Sequence, residues 1–241
     1  MIDIHSHILP MVDDGANSVE MALEMLDKAY RDGSDAIVLT PHFAYEYDFI
    51  NPYFKIKELF EDLKYIVEKE HIPIELYLGC EYLYTDKQSF IEQLKDITTI
   101  NQTQYMLMEF FFDVEEDDIL EAVDIVLEHH LIPIIAHPER FDVIQNSISL
   151  IEEIIDKGAL LQLNKGSVLG RYGRIAKETA LYLLDNHYIS FVGSDAHHPL
   201  KRTSLMYDSY QYIRDHYGNE YADRIFIKNS RNMLNGIDIR K

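Results

Sequence analysis

Nine side chains in this sequence share one chemistry: His5, His7, Asp14, His42, Glu81, Glu109, His137, Asp195 and His197. Each ends a short apolar run or lies in the loop that follows one. Taken singly they say little. A His-x-His pair is ordinary, and Asp14 ahead of a helical pattern reads equally well as a cap or turn residue. Lone histidines such as His42 and His137 are often satisfied by backbone groups. Taken together, they form a donor set for divalent ions. Imidazole and carboxylate without a thiolate cluster suit Mn, Fe, Zn or Ni better than Mg or Ca. Nine donors exceed the needs of one ion, but bridging carboxylates would let them serve two or three. Clustered ions of this kind activate a water and clamp the oxygens of an in-line displacement, so the chemistry implied is hydrolysis.

The elements that must position these residues alternate along the chain. Apolar runs predict strands at 2–5, 36–41, 74–79, 105–110, 132–136, 159–164 and 188–193. Runs such as Ala36-Ile37-Val38-Leu39 and Ile132-Pro133-Ile134-Ile135-Ala136 have the continuous apolar character of parallel strands buried on both faces. Amphipathic patterns between them predict helices over 18–31, 52–70, 117–130 and 174–186. Asp14 and Asn17 stand where the first helix could begin, and Gly33, Gly158 and Asn186-His187 where helices should stop. Strict alternation without a glycine-rich dinucleotide fingerprint favours an α/β barrel, one unit short of the usual eight. Parallel strands in a barrel all end on one face, so the nine donors should converge on a single mouth. The sixth strand, ending near Asn164-Lys165, is the exception that contributes no donor.

Composition narrows the function. The 241 residues suit one barrel domain, and 42 acidic against 22 basic residues give a net charge of −20, unfavourable for general nucleic-acid or anionic-lipid binding. No apolar stretch is long enough to span a bilayer, and MIDIHSHILP lacks the features of a signal peptide. With the single cysteine, Cys80, this points to a cytoplasmic protein. Cys80-Glu81-Tyr82-Leu83-Tyr84 offers no phosphate-cradling loop, so a cysteine nucleophile is not expected. The aromatic segment 43–49 directly after His42 is a candidate rim of the site, or a lid on the following helix. Asp13, Glu139 and His198 lie beside proposed donors and could orient them.

The motifs His5-Ser6-His7, Asp13-Asp14-Gly15, Thr40-Pro41-His42, Gly79-Cys80-Glu81, Glu109-Phe110, Ala136-His137-Pro138-Glu139-Arg140 and Ser194-Asp195-Ala196-His197 resemble the PHP (polymerase and histidinol phosphatase) superfamily. More narrowly, the chain resembles the manganese-dependent bacterial tyrosine-protein phosphatases of capsule and exopolysaccharide operons. The likeness runs from Met1 to about residue 230.

The resemblance implies a single-domain, distorted (β/α)7 barrel of PHP type over 1–241, holding three Mn2+ ions, with Fe, Zn, Ni or Mg as alternatives. It assigns His5, His7, Glu81 and Asp195 to one ion, Glu81, Glu109 and His137 to a second, and Asp14, His42 and His197 to the third. Arg140 and Arg202 match the arginines that grip substrate phosphate, where a guanidinium offers bidentate hydrogen bonding. His42 or His197 could act as a general acid only if not committed to metal. The implied substrate is phosphotyrosine on a bacterial tyrosine kinase, reached at the inner face of the membrane through that partner, and oligomers are compatible with this. Two other functions fit the same donors: a small-molecule phosphoesterase such as histidinol phosphatase, and a non-catalytic metal-binding partner of the kinase.

Overall fold

The computed structural model describes residues 1–240. Its strands are β1 (Ile2–Asp3), β2 (Ala36–Leu39), β3 (His42–Phe43), β4 (Glu75–Leu78), β5 (Glu81–Leu83), β6 (Tyr105–Glu109), β7 (Ile132–Ala136), β8 (Leu160–Asn164) and β9 (Phe191–Gly193). All pairings between them are parallel, in two sheets ordered β1-β2-β4 and β3-β5-β6-β7-β8-β9.

The expected strands at 36–41 and 74–79 are each interrupted. The second breaks at Thr40-Pro41, where proline has no N–H to give a ladder, and the third at Gly79-Cys80. The two halves nevertheless remain in register. Gly79 N donates to Leu39 O at 2.9 Å and Glu81 N to Pro41 O at 3.1 Å. Cys80 N turns away to Thr98 O at 3.0 Å, and the turn Ile100–Gln102 packs on both β4 and β6 where those strands do not pair. This is the distortion of the barrel. The seam between last and first strands is stitched by a parallel bridge of Ser6 with Ala196, by Asp195 N to His5 O and by His7 N to Ala196 O, both 2.9 Å. Seven strand units therefore follow one another around the wall.

Eleven α-helical segments accompany the described strands: α1 (Val19–Arg31), α2 (Tyr53–Lys69), α3 (Lys87–Gln93), α4 (Glu116–Glu128), α5 (Asp142–Asn146), α6 (Leu150–Lys157), α7 (Lys165–Val168), α8 (Arg174–Asp185), α9 (Tyr207–Tyr217), α10 (Asn219–Asp223) and α11 (Asn229–Leu234). The cap of α1 is Ser18, whose hydroxyl accepts from Met21 N at 3.2 Å, rather than Asp14 or Asn17. Asp14 is thereby free of that duty.

Side-chain alternation sorts the core into two clusters. Ile37, Leu39, Met106, Met108, Ile135, Leu161 and Val192 face the helices, whereas Ile2, Val38, Tyr105, Leu107, Ile134, Leu160 and Phe191 fill the lumen with Met233 and Leu234 of α11. Following the lumen-facing positions toward the strand ends gives Tyr105-Leu107-Glu109, Leu160-Gln162-Asn164 and Phe191-Gly193-Asp195. The same stripe that is apolar at the base becomes polar at the mouth.

Candidate metal centre

Glu81 sits at the middle of the mouth. Its Oε2 lies 3.0 Å from His5 Nε2 and 3.1 Å from His7 Nε2, and those two nitrogens are 3.1 Å apart. Asp195 Oδ1 stands 3.8 and 3.6 Å from the same nitrogens. On the other side, His42 Nδ1 is 2.9 Å from Glu109 Oε1 and 3.3 Å from Glu81 Oε2. His137 Nε2 is 2.9 Å from Glu81 Oε1 and 3.7 Å from Glu109 Oε2. Asp14 Oδ1 reaches His197 Nε2 at 3.2 Å and His42 Nε2 at 3.6 Å. All nine donors named from the sequence thus meet in one place.

Three overlapping groups are close enough to hold an ion each: His5, His7 and Glu81; His42, Glu81 and Glu109; and His7, Asp14, His42 and His197. The partition differs in detail from the expected one. His7 also joins the third group, and His42 faces Glu81 and Glu109 while His137 approaches the opposite oxygen of Glu81. Spacing along the chain does not decide such choices, because they depend on which ring nitrogen is turned inward.

The side chains fit a cationic occupant. His42 Nδ1, Glu81 Oε2, Glu109 Oε1 and His197 Nε2 are buried and crowded against other donor atoms of the cluster at 2.9–3.3 Å, yet none makes a bond of proper hydrogen-bond geometry. Burying so many poorly bonded polar atoms together is costly, so their gathering needs an electrostatic reason. Burial would raise the pKa of Glu81, yet the imidazoles of His5, His137 and His42 hold it well below the carboxylate range. Burial likewise opposes charge on His5 and His42, but Glu81 raises the former to about 9 and Glu109 the latter to about 10. Burial and nearby His7 push His197 down to about 4. The pocket therefore favours positive charge among its carboxylates, which is what a divalent cation supplies.

Surrounding residues fix the donors. Asp13 Oδ2 accepts from His7 Nδ1 at 2.8 Å and from His42 N at 3.0 Å, while its Oδ1 accepts from Gly15 N at 3.0 Å. Gly15 is required there, because a Cβ would overlap the His7 carbonyl. His5 Nδ1 meets Gln162 Oε1 at 2.7 Å, Gln162 Nε2 donates to Asn164 Oδ1 at 3.1 Å, and Asn164 Nδ2 donates to Asp195 Oδ2 at 2.7 Å. These two amides are the contribution of β8, the strand without a metal donor. The alternating polar pair Gln162-x-Asn164 in an apolar run is the signal that would have found them. Buried Glu139 accepts from Ser167 Oγ at 2.6 Å and Asn164 N at 3.2 Å. His198 has no such role; its Nδ1 accepts from Leu200 N within its own loop. His137 (φ 37°) and Asp195 (φ 51°) are both left-handed non-glycine residues, a strained backbone that aims donors at the mouth.

The two arginines reach the same edge. Arg202 Nη2 donates to Asp195 Oδ1, and Arg140 Nη1 lies 3.6 Å from Asp195 Oδ2. Arg202 Nε is buried and unpartnered. Cys80 packs in the core, and burial pushes its thiol up to about 12. In the segment after His42, Phe43 is buried, whereas Tyr45 and Tyr47 are 45% and 54% exposed. Phe49 stacks on His42 with centroids 5.6 Å apart, and Tyr47 meets Phe111 edge-on at 6.0 Å. Tyr45 and Tyr47 thus stand at the surface of this segment while Phe43 packs inward.

A distorted seven-stranded α/β barrel with imidazoles and carboxylates clustered at its C-terminal mouth defines a barrel of the metal-dependent hydrolase type. The model of the CpsB/CapC family of capsular polysaccharide synthesis matches residues 1–235, and the chain belongs to that family. It is 33% identical over 240 residues to the tyrosine-protein phosphatase CpsB of Streptococcus agalactiae, covering 97% of this chain and 98% of that one. It is 34% identical to the tyrosine-protein phosphatase YwqE of Bacillus subtilis, covering 91% and 86%. A solved structure from the pair YwqE of Bacillus subtilis and CpsB of Streptococcus pneumoniae, unique metal-dependent tyrosine phosphatases, superposes with a TM-score of 0.89. Its identity is 32%, covering 98% of this chain and 95% of that one.

Proposed function

We propose that this chain is a metal-dependent protein-tyrosine phosphatase of capsular or exopolysaccharide synthesis, acting on phosphotyrosine of a partner tyrosine kinase, with residues 1–241 as one domain. The observation that carries the reading is the meeting of nine metal donors with two arginines at Asp195. In this reading His5, His7, Glu81 and Asp195 hold one ion, Glu81, Glu109 and His137 a second with His42 alongside, and Asp14, His42 and His197 a third with His7 alongside. Three divalent ions, manganese in this reading with Fe, Zn, Ni or Mg as substitutes, would supply charge neutralisation at the phosphate and an activated water.

The protein's own side chains do the rest. Arg140 and Arg202 bind phosphate oxygens through guanidinium N–H groups, and Arg202 Nε adds a donor that has no other partner. Two arginines at the mouth make a local cationic site on an anionic protein, selecting a small dianion while the outer surface repels acidic polymers. His42 and His197 each lie in a donor group, so they hold metal rather than a free proton. A tyrosine leaving group tolerates this, since phenol has a pKa of about 10 and departs far more readily than an alkoxide. Tyr45, Tyr47 and Phe49 flank the phosphotyrosine ring. No helix among the described residues is long and apolar enough to cross a membrane; in this reading the enzyme works in the cytoplasm, beside the membrane only through the partner.

The test is a substrate comparison with metal-replete protein: a phosphotyrosine peptide, a phosphoserine peptide and histidinol phosphate. The phosphotyrosine peptide should be the preferred substrate. A clear preference for histidinol phosphate would replace the proposed substrate, and inertness toward all three would leave only a binding role.

A further inference from the structure

Arg140 is held by more than its ion pair with Asp195. Its guanidinium carbon lies 4.5 Å from the ring centroid of Phe112 and 4.5 Å from that of Tyr172. Rings packed on a guanidinium leave its N–H edge as the hydrogen-bonding surface, and Nη1 lies 3.6 Å from Asp195 Oδ2. The two rings come from separate places: Phe112 from the loop after β6, Tyr172 from the loop between α7 and α8.

Each ring has contacts of its own, although Phe112 stays 48% exposed. Phe112 meets Phe141 at 6.5 Å and His137 at 6.4 Å between centroids. Tyr172 lies on Gly166, where an added Cβ would come within 2.6 Å of Tyr172 Cε2. Burial raises the Tyr172 hydroxyl, and Asp195, Arg202 and Arg140 all act on it electrostatically. Its ring therefore borders the charged edge of the mouth. An unbraced arginine has many rotamers to lose on gripping a phosphate, whereas a stacked one is already oriented.

We propose that Phe112 and Tyr172 clamp the Arg140 guanidinium so that its N–H edge faces the metal donors, making Tyr172 a positioning residue for substrate phosphate. This rests on the reading of the site as phosphate-processing. It adds a residue that contains no metal donor and belongs to none of the metal-binding motifs.

The test uses the full, metal-loaded chain and inorganic phosphate, titrated calorimetrically, beside hydrolysis of an aryl phosphate. Tyr172→Leu should weaken phosphate binding about tenfold, between the scales of an exposed and a desolvated cation–π contact, with metal content unchanged. The loss should fall on KM more than on kcat. Tyr172→Phe, which keeps the ring, should behave as wild type, and Gly166→Ala, which displaces the ring, should behave as Tyr172→Leu. In an Arg140→Ala background, Tyr172→Leu should have no further effect, a coupling that a general structural role would not produce.

Additive losses in the double variant, an unchanged phosphate affinity for Tyr172→Leu, or an equal loss in Tyr172→Phe would each overturn the clamp. If wild type binds phosphate with this dependence but cleaves no ester, the phosphatase reading fails and the clamp stands. If metal-loaded wild type binds no phosphate, both fail.

Discussion

Asp13 determines how His7 is presented: its carboxylate accepts a hydrogen bond from Nδ1–H at 2.8 Å, which leaves Nε2 as the lone-pair nitrogen 3.1 Å from Glu81. Fixing one tautomer in this way makes the other nitrogen a better metal ligand. Asp13→Ala should weaken metal affinity by about 10- to 100-fold, and Asp13→Asn by less, since an amide oxygen can still accept. Competition against a chelator of known affinity measures this. Wild-type affinity in Asp13→Ala would show that the carboxylate only shapes the loop.

Arg140 and Arg202 touch the donor cluster through Asp195 but supply no metal-binding atom. Arg140→Ala and Arg202→Ala should therefore keep metal content while weakening phosphate inhibition by about 10- to 100-fold each, the range for charge-assisted hydrogen bonds. Metal analysis and inhibition by inorganic phosphate on the same samples separate the two roles. Loss of metal in Arg140→Ala would assign it a structural duty instead.

Protons and metal compete for the same nitrogens. In the metal-free protein His5 is raised from 6.5 to about 9 and His42 to about 10, so the folded state binds these protons more tightly than the unfolded chain. Their stabilisation is fully present below about pH 6.5 and lost as pH rises through about 9 and 10. The carboxylates of Glu81 and Asp195, held low, act oppositely: their stabilisation is present above the ordinary carboxylate range and lost in acid. Metal binding must displace the imidazole protons, so apparent affinity should rise with pH. The gap in Tm between metal-loaded and chelated protein should accordingly widen from pH 6.5 to 9. A gap that stays constant or narrows would mean that these imidazoles are not where metal binds.

Cys80 is the residue a thiol-based phosphatase would need, but it is buried in the core with its thiol pushed up to about 12. Cys80→Ala should retain turnover of an aryl phosphate and lose about 1 kcal/mol of stability, as small core truncations do. Alkylating reagents should leave native turnover intact. Loss of turnover in a folded Cys80→Ala variant would bring the thiol back into the mechanism.

How far the sequence discloses the molecule can be judged residue by residue. β7 has the bounds its apolar run predicts, and β6 and β8 are within one residue, because parallel strands buried on both faces carry a continuous signal. The interruptions at Thr40-Pro41 and Gly79-Cys80 are harder, since the pairing continues across them and only the regular ladder stops. The nine candidate donors could be picked out because each ends an apolar run or, like Asp14, lies in the loop after one. Gln162 and Asn164 were not, because amides are poor metal ligands and a search for donors passes over them. The Arg140 brace was hidden for a different reason: Phe112 and Tyr172 belong to separate loops and meet only after the barrel closes.

His7 is shared by two of the three donor groups, so it tests the account of the metal centre most directly. The measurement is metal content and aryl phosphate turnover of His7→Ala, made on the same folded sample. Both should fall together, with turnover reduced to that of chelated wild type. Full turnover by His7→Ala, or full metal content without turnover, would contradict it.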